Sequence, residues 1–164
     1  MMTTRIDIDG YLAEWLRAKW WDAAVGAVRF PCHSDVYELV YDLLQVRPRD
    51  VSPLDCGNLT LALPDRREGN YAWGKRPERH NYISQAGARV LNNRLRTMFW
   101  AEVHEAFDEN KHIHGIDYKD TAYQLVARYS LTLISDDGLL KNYQRWRDRL
   151  RRKGKRGYIQ AKKR

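Results

Sequence analysis

Four cations stand at helical spacing near the end of the chain: Lys141, Arg145, Arg149 and Arg152. With 100° per residue and Leu139 set at 0°, they fall between about 200° and 280°, while Tyr143, Trp146 and Leu150 fall within about 40° of Leu139. One side of such a helix would pack and the other would present a ridge of positive charge, the chemistry needed to meet phosphate oxygens. Arg147 and Arg151 would flank the packed side and reach back along a phosphate strand. On or beside the ridge, the amides of Asn142 and Gln144 have the paired donor and acceptor that reads an adenine edge, and Arg145 or Arg149 has the fork that reads guanine. Lys153, Lys155 and Arg156 extend the charge toward the terminus.

A second basic stretch, "PDRREGNYAWGKRPERHN" from Pro64 to Asn81, has no periodicity and is expected to be a long loop. Its Arg66, Arg67, Lys75, Arg76 and Arg79, with Tyr71 and Trp73 among them, suit contact with a phosphate backbone or stacking on an unpaired base. A solvated connector would have much the same composition.

Other reactive types are present without a full constellation. Glu109 and His112 have the Glu-x-x-His spacing that projects two ligands from one helix face, but a two-metal bundle needs a second copy and two further glutamates. Cys32, His33, Asp55 and Cys56 supply zinc-ligand types without the Cys-x₂₋₄-Cys spacing of a structural site. Glu102 falls inside an apolar helical arc, where a carboxylate needs a partner. The chain has no glycine-rich phosphate loop and no nucleophile elbow. No catalytic residue, metal or cofactor is assigned from these patterns.

The charge distribution favours binding over catalysis. Residues 141–164 hold 12 Lys and Arg against 1 acid, net +11, leaving 17 against 20, net −3, for residues 1–140 of a chain whose total is +8. Such asymmetry predicts a polyanionic partner, nucleic acid before an anionic membrane surface. Six Trp, ten Tyr and three Phe in 164 residues are enough aromatic surface for a folded core. Charged residues interrupt every stretch that could approach the ~20 apolar residues of a membrane span, and no basic patch with an apolar run opens the chain as a secretory signal would. With only Cys32 and Cys56 available for a bridge, a reduced, cytoplasmic protein is expected. A homo-oligomer is compatible with this sequence.

The elements that must position these residues read as helices. Asp9 caps a helix through Leu12, Trp15, Leu16 and Trp20 that should end near Gly26; Ser34 caps a second, carrying Val36, Leu39, Val40, Leu43 and Leu44, that stops before Pro48. "NLTLALP" alternates Leu59, Leu61 and Leu63 as one short strand or extended segment, with no evident strand to pair with. The longest helix starts after Ser84, sets Leu91, Leu95, Met98, Phe99, Val103 and Ala106 in one arc, and stops by Gly115. A fourth helix carries Ala122, Leu125, Val126 and Tyr129, and a fifth follows Ser135 with Asp136 and Asp137 in its first turn. The expectation is a mainly α fold, one helical domain over residues 1–153 and a basic tail over 154–164. Leu91, Leu95, Met98, Tyr143 and Trp146 are expected in its core.

"AYQLVARYSLTLISDDGLLKNYQRWRDRLRR" thus reads as helix, short apolar connector, basic helix, and over about 31 residues, 116–153 at its widest, it resembles the helix-turn-helix arrangement. The resemblance implies double-stranded DNA contact, favoured over RNA, through the helix after Ser135, as in small regulators or accessory factors of phages and mobile elements. The connector has no glycine, and Asp136 and Asp137 stand where a recognition helix usually touches bases, so backbone-directed contact is expected. "HIH", His112 to His114, resembles the His-hydrophobic-His core of single-strand endonucleases. That likeness implies a metal-dependent nicking or transposition enzyme in which a tyrosine such as Tyr118, Tyr123 or Tyr143 attacks. Its histidine pair belongs on a central strand. An RNA-binding adaptor using Tyr71 and Trp73 is a third expectation.

Overall fold

The structure, a computed structural model, describes residues 1–51, 57–64 and 74–162, with the backbone alone beyond residue 154. It divides into two compact units, Met1–Phe99 and Trp100–Arg164.

The first unit is built on a sheet. Strands β1 (Thr3–Ile6), β2 (Trp21–Asp22), β3 (Ala27–Val28) and β4 (Leu59–Ala62) form one four-stranded sheet in the order β1-β4-β3-β2. β1 runs antiparallel to β4, Thr3 opposite Ala62 and Ile6 opposite Leu59. β3 runs parallel to β4, with Val28 opposite Leu61. This corrects the expectation of a mainly α, single helical domain, because "NLTLALP" is an interior strand with partners on both sides. The physical reason is visible in its burial: Leu59, Leu61, Ala62 and Leu63 are all buried, as in a strand covered on two faces.

β2 and β3 form a hairpin where the first helix was expected to continue toward Gly26. Helix α1 spans Gly10–Trp20 only. Asp22 accepts the Ala24 N–H on Oδ1 at 2.9 Å, its carbonyl accepts the Gly26 N–H at 2.8 Å, and Gly26 adopts φ +68°. An Asp side chain folding the chain onto itself, followed by a residue with positive φ, makes a turn that helical periodicity does not register. Trp15 and Leu16 of α1 are fully buried, and Trp15 meets Phe99 edge-on at 5.6 Å.

Helix α2 spans Asp35–Leu43, begun by Ser34, whose Oγ accepts the Tyr37 N–H at 3.2 Å. Helix α3 spans Gln85–His112. Leu91, Leu95 and Phe99 bury in the first unit; Val103 and Phe107 bury in the second, while Met98 and Ala106 are half-buried.

The second unit holds the end of α3 with α4 (Tyr118–Tyr129) and α5 (Asp136–Lys162), and α4 packs along α5. Gly115, at φ +67°, lies between α3 and α4. α5 continues through residues 154–162, the segment expected to form a tail.

No helix among the described residues is long and apolar enough to cross a membrane.

Candidate nucleic-acid interface

Local chemistry sets where α5 begins and which way it faces. Ser130 closes α4 in the left-handed conformation, φ 49° and ψ 45°, and Leu131 buries behind it with its N–H on the Val126 carbonyl at 3.0 Å. Ser135 then caps α5, its Oγ accepting the Gly138 N–H at 3.1 Å, and Asp136 and Asp137 place negative charge at the positive helix end. Leu139 and Tyr143 are fully buried, which fixes the rotation of the helix.

Contacts through Tyr143, His104 and Arg147 lock that rotation. The Tyr143 hydroxyl donates to Asp108 on α3, and burial together with this bond raises its pKa well above the ordinary tyrosine value. His104 Nε2 bonds Asn142 Oδ1 at 2.9 Å, and the His104 ring stacks on Trp146 with centroids 4.5 Å apart. Burial pushes the His104 pKa down, against smaller upward pulls from Asn142 and Asp108. Arg147 donates to the Tyr118 hydroxyl at 2.5 Å and lies over the rings of Tyr118 and Tyr143.

The opposite side of the helix is open. Gln144, Arg145, Arg149, Arg151 and Arg152 are exposed there, and Lys153 is exposed beyond the end of the packed face. The arginines and Lys153 form no salt bridge with a described residue. Lys141, also exposed, reaches back to Asp137 at 2.6 Å, an i,i+4 pair of the kind that contributes only a few tenths of a kcal/mol in water. Leu150 is 48 % exposed, so the packed face thins toward the end of the helix.

The remaining candidate residues scatter. Asn142 has its amide oxygen committed to His104. Its 300° position, between the packed face and the ridge, was the sequence signal for this. Lys75 is tied to α2: its N–H donates to the Tyr41 hydroxyl at 2.6 Å, and Nζ donates to the carbonyls of Tyr41 and Asp42 at 3.0 and 2.5 Å. Arg76 and Arg79 are exposed in the first unit. Arg66, Arg67, Tyr71, Trp73, Asp55 and Cys56 lie outside the described residues, as do the side chains of Lys155 and Arg156.

The enzymatic candidates are placed apart. His112 ends α3, His114 lies just beyond it at 3.7 Å from Glu109, and both are exposed at a helix end, where the endonuclease likeness requires a strand. Among the described residues no group of three or more His, Cys, Asp and Glu side chains is placed to hold a metal ion. Glu102 accepts a hydrogen bond from the Tyr129 hydroxyl.

Comparison with protein-family models, curated proteins and solved structures yields no match.

Proposed function

We propose that the second unit binds nucleic acid, double-stranded DNA in preference to RNA, through the outward side of α5. Arg145, Arg149 and Arg152 carry the phosphate contacts, with Lys141 extending the strip and Gln144 available to a base edge; the charges of Lys153, Lys155 and Arg156 follow in the sequence. The role that fits is a cytoplasmic DNA-binding regulator or accessory factor, of the kind carried by phages and mobile elements.

The observation that supports this most is the pairing state of the ridge. Tyr143 is 0 % exposed on one side while Arg145 and Arg149 on the other have no acidic partner among the described residues. A helix kept basic only for solubility gains from interspersed acids, and residues 141–164 contain one, Asp148. Contacts spread along a ridge, with Asp136 and Asp137 at the helix start repelling phosphate, make the binding chiefly backbone-directed.

Fluorescence anisotropy of random duplex DNA with the full chain across a salt series tests this. Each phosphate contact adds about −0.9 to the slope of log K against log salt. Replacing Arg145, Arg149 and Arg152 by Glu is expected to flatten the slope by about 3. A slope unchanged by the triple replacement overturns the reading, and tighter binding of RNA than of duplex DNA overturns the preference.

A further inference from the structure

The first unit contains a cleft of about 830 Å³ that the nucleic-acid reading does not use. Its size is within the range of small-molecule sites. On one side runs the backbone from Ile6 to Asp9 with Gly57 beside it; on the other, Tyr82 and Ile83 lead into the opening turns of α3. Gly57 is required there: a Cβ at this position would meet the Ile6 carbonyl oxygen at 2.5 Å.

The side chains of the cleft fall into three groups. Buried Ile6, Ile8 and Ile83 form an apolar floor. A bonded frame stands above it: Asn92 Oδ1 accepts the Asp9 N–H at 2.9 Å, and Asp9 Oδ2 accepts from Asn92 Nδ2 at 3.3 Å and from Arg96 Nη2 and Nε at 2.6 and 3.1 Å. The third group is uncommitted. Asp7, Gln85, Arg89 and Asn93 line the cleft, and none of their side chains has a hydrogen bond or ion pair with a described residue. Gln85, Arg89 and Asn93 are four residues apart on α3, so they share one helix face, that of the framed Asn92 and Arg96.

This lining selects among ligand classes. The charged groups Asp7, Asp9, Arg89 and Arg96 in the lining disfavour a lipid, and the two carboxylates would oppose a bare anion. Two side-chain amides offer paired donors and acceptors, which match the edge of a nucleobase. Tyr82 offers an aromatic ring on which a base can stack. Arg89 offers a fork for a phosphate, and Asp7 an acceptor for sugar hydroxyls or an exocyclic amine.

We infer that this cleft binds a single nucleotide, base and phosphate together, with Arg89 on the phosphate and Gln85 and Asn93 on the base edge. The nucleotide is either free or an unstacked residue of a strand; the shared chemistry is one base out of its stack. The cleft lies entirely in the first unit and does not involve α5, so this inference and the proposed duplex contact stand or fall separately.

The test is calorimetric titration of the full chain with the 5′-monophosphates of adenosine, guanosine, cytidine and uridine, alongside inorganic phosphate. Saturable binding of at least one monophosphate, tighter than that of phosphate, is expected. Arg89→Ala and Asn93→Ala should each weaken it about tenfold, with thermal midpoints unchanged because both side chains are exposed. The triple replacement on α5 should leave it unaltered.

No saturable binding of any of the four, or binding that both alanine variants retain in full, overturns the inference. Two further arms separate the sources. Displacement of the bound monophosphate by a short single strand, but not by a blunt duplex, assigns the cleft to an unstacked strand residue. Displacement by neither assigns it to the free nucleotide.

Discussion

The imidazole of His104 lies stacked on the indole of Trp146, 4.5 Å between centroids and 21° between planes, while its Nε2 holds Asn142 at 2.9 Å. This one residue of α3 therefore clamps the packed side of the helix whose other side is the basic ridge. Protonation would place a charge in a buried position and near the cation of Arg149, a cost that outweighs the opposing pulls of the Asn142 hydrogen bond and Asp108, so the folded state holds His104 below its ordinary pKa. Below about pH 6.5 the unfolded chain then binds more protons than the folded one, and stability rises with pH. The contribution is complete above the unfolded value near 6.5 and is lost as pH falls through the lower folded value. Thermal midpoints measured from pH 7.5 down to 5 should fall, and His104→Gln should be flatter over that window. A single proton limits the excess slope to about 1.4 kcal/mol per pH unit. Identical slopes for the two proteins would remove His104 from this role.

Arg147 and Arg149 are two residues apart on α5 and are expected to behave oppositely. Arg147 is held by Tyr118 and covers the rings of Tyr118 and Tyr143; Arg149 is exposed with no described acidic partner. Arg147→Ala should lower stability by about 1–2 kcal/mol through lost packing and a lost bond to a charged group, with the salt slope for DNA nearly intact. Arg149→Ala should change the unfolding free energy by less than about 0.5 kcal/mol and reduce the salt slope by about 0.9. Equal effects of the two on binding would show that the ridge is drawn in the wrong place.

The helices were legible in the sequence because their signals are local and repeated. Ser34 and Ser135 announce α2 and α5, and the apolar steps of α3 run for several turns. The sheet was not, for the opposite reason. β2 and β3 have two residues each, too few to show a period, and β1 and β4 become strands only by meeting each other across more than fifty positions of sequence. Leu59, Leu61 and Leu63 carried the alternation, but pairing is a long-range fact that no window around them contains. The charge of the α5 ridge was legible for the same local reason as the helices. The cleft was not, since Asp7 and Asp9 are separated from Arg89 and Asn93 by most of the first unit.

Tyr129 and Tyr143 give the second unit an alkaline limit. Burial and the bond to Glu102 push the Tyr129 hydroxyl up to about 12, and burial with the bond to Asp108 pushes Tyr143 further in the same direction. Unfolded tyrosines ionise near 10, so the stability these bonds supply is present below that value and is lost as pH rises through the folded values. Ultraviolet titration should show two of the ten tyrosines of the chain resisting ionisation until the unit unfolds. Tyr129→Phe should cost about 1–3 kcal/mol at neutral pH, because it leaves a half-buried Glu102 without this donor, and should make the loss above pH 10 shallower. Ten tyrosines titrating together near 10 would contradict both assignments.

Lys75 separates position in sequence from position in space. It belongs to a basic stretch that reads as phosphate-binding, yet its Nζ lies against the carbonyls of Tyr41 and Asp42 at the end of α2, where the last carbonyls carry the negative end of the helix dipole. Its backbone N–H is held as well, by the Tyr41 hydroxyl, so the residue fastens residues 74 and 75 to α2. Lys75→Met keeps the aliphatic stem and removes the charge, and should cost about 1 kcal/mol in chemical denaturation. The exposed Arg76 and Arg79 should each change stability by less than about 0.5 kcal/mol when replaced by Ala. Lys75→Met should leave duplex affinity and its salt response unchanged; a slope reduced by about 0.9 with stability intact would make Lys75 a phosphate contact and its bonds to α2 incidental.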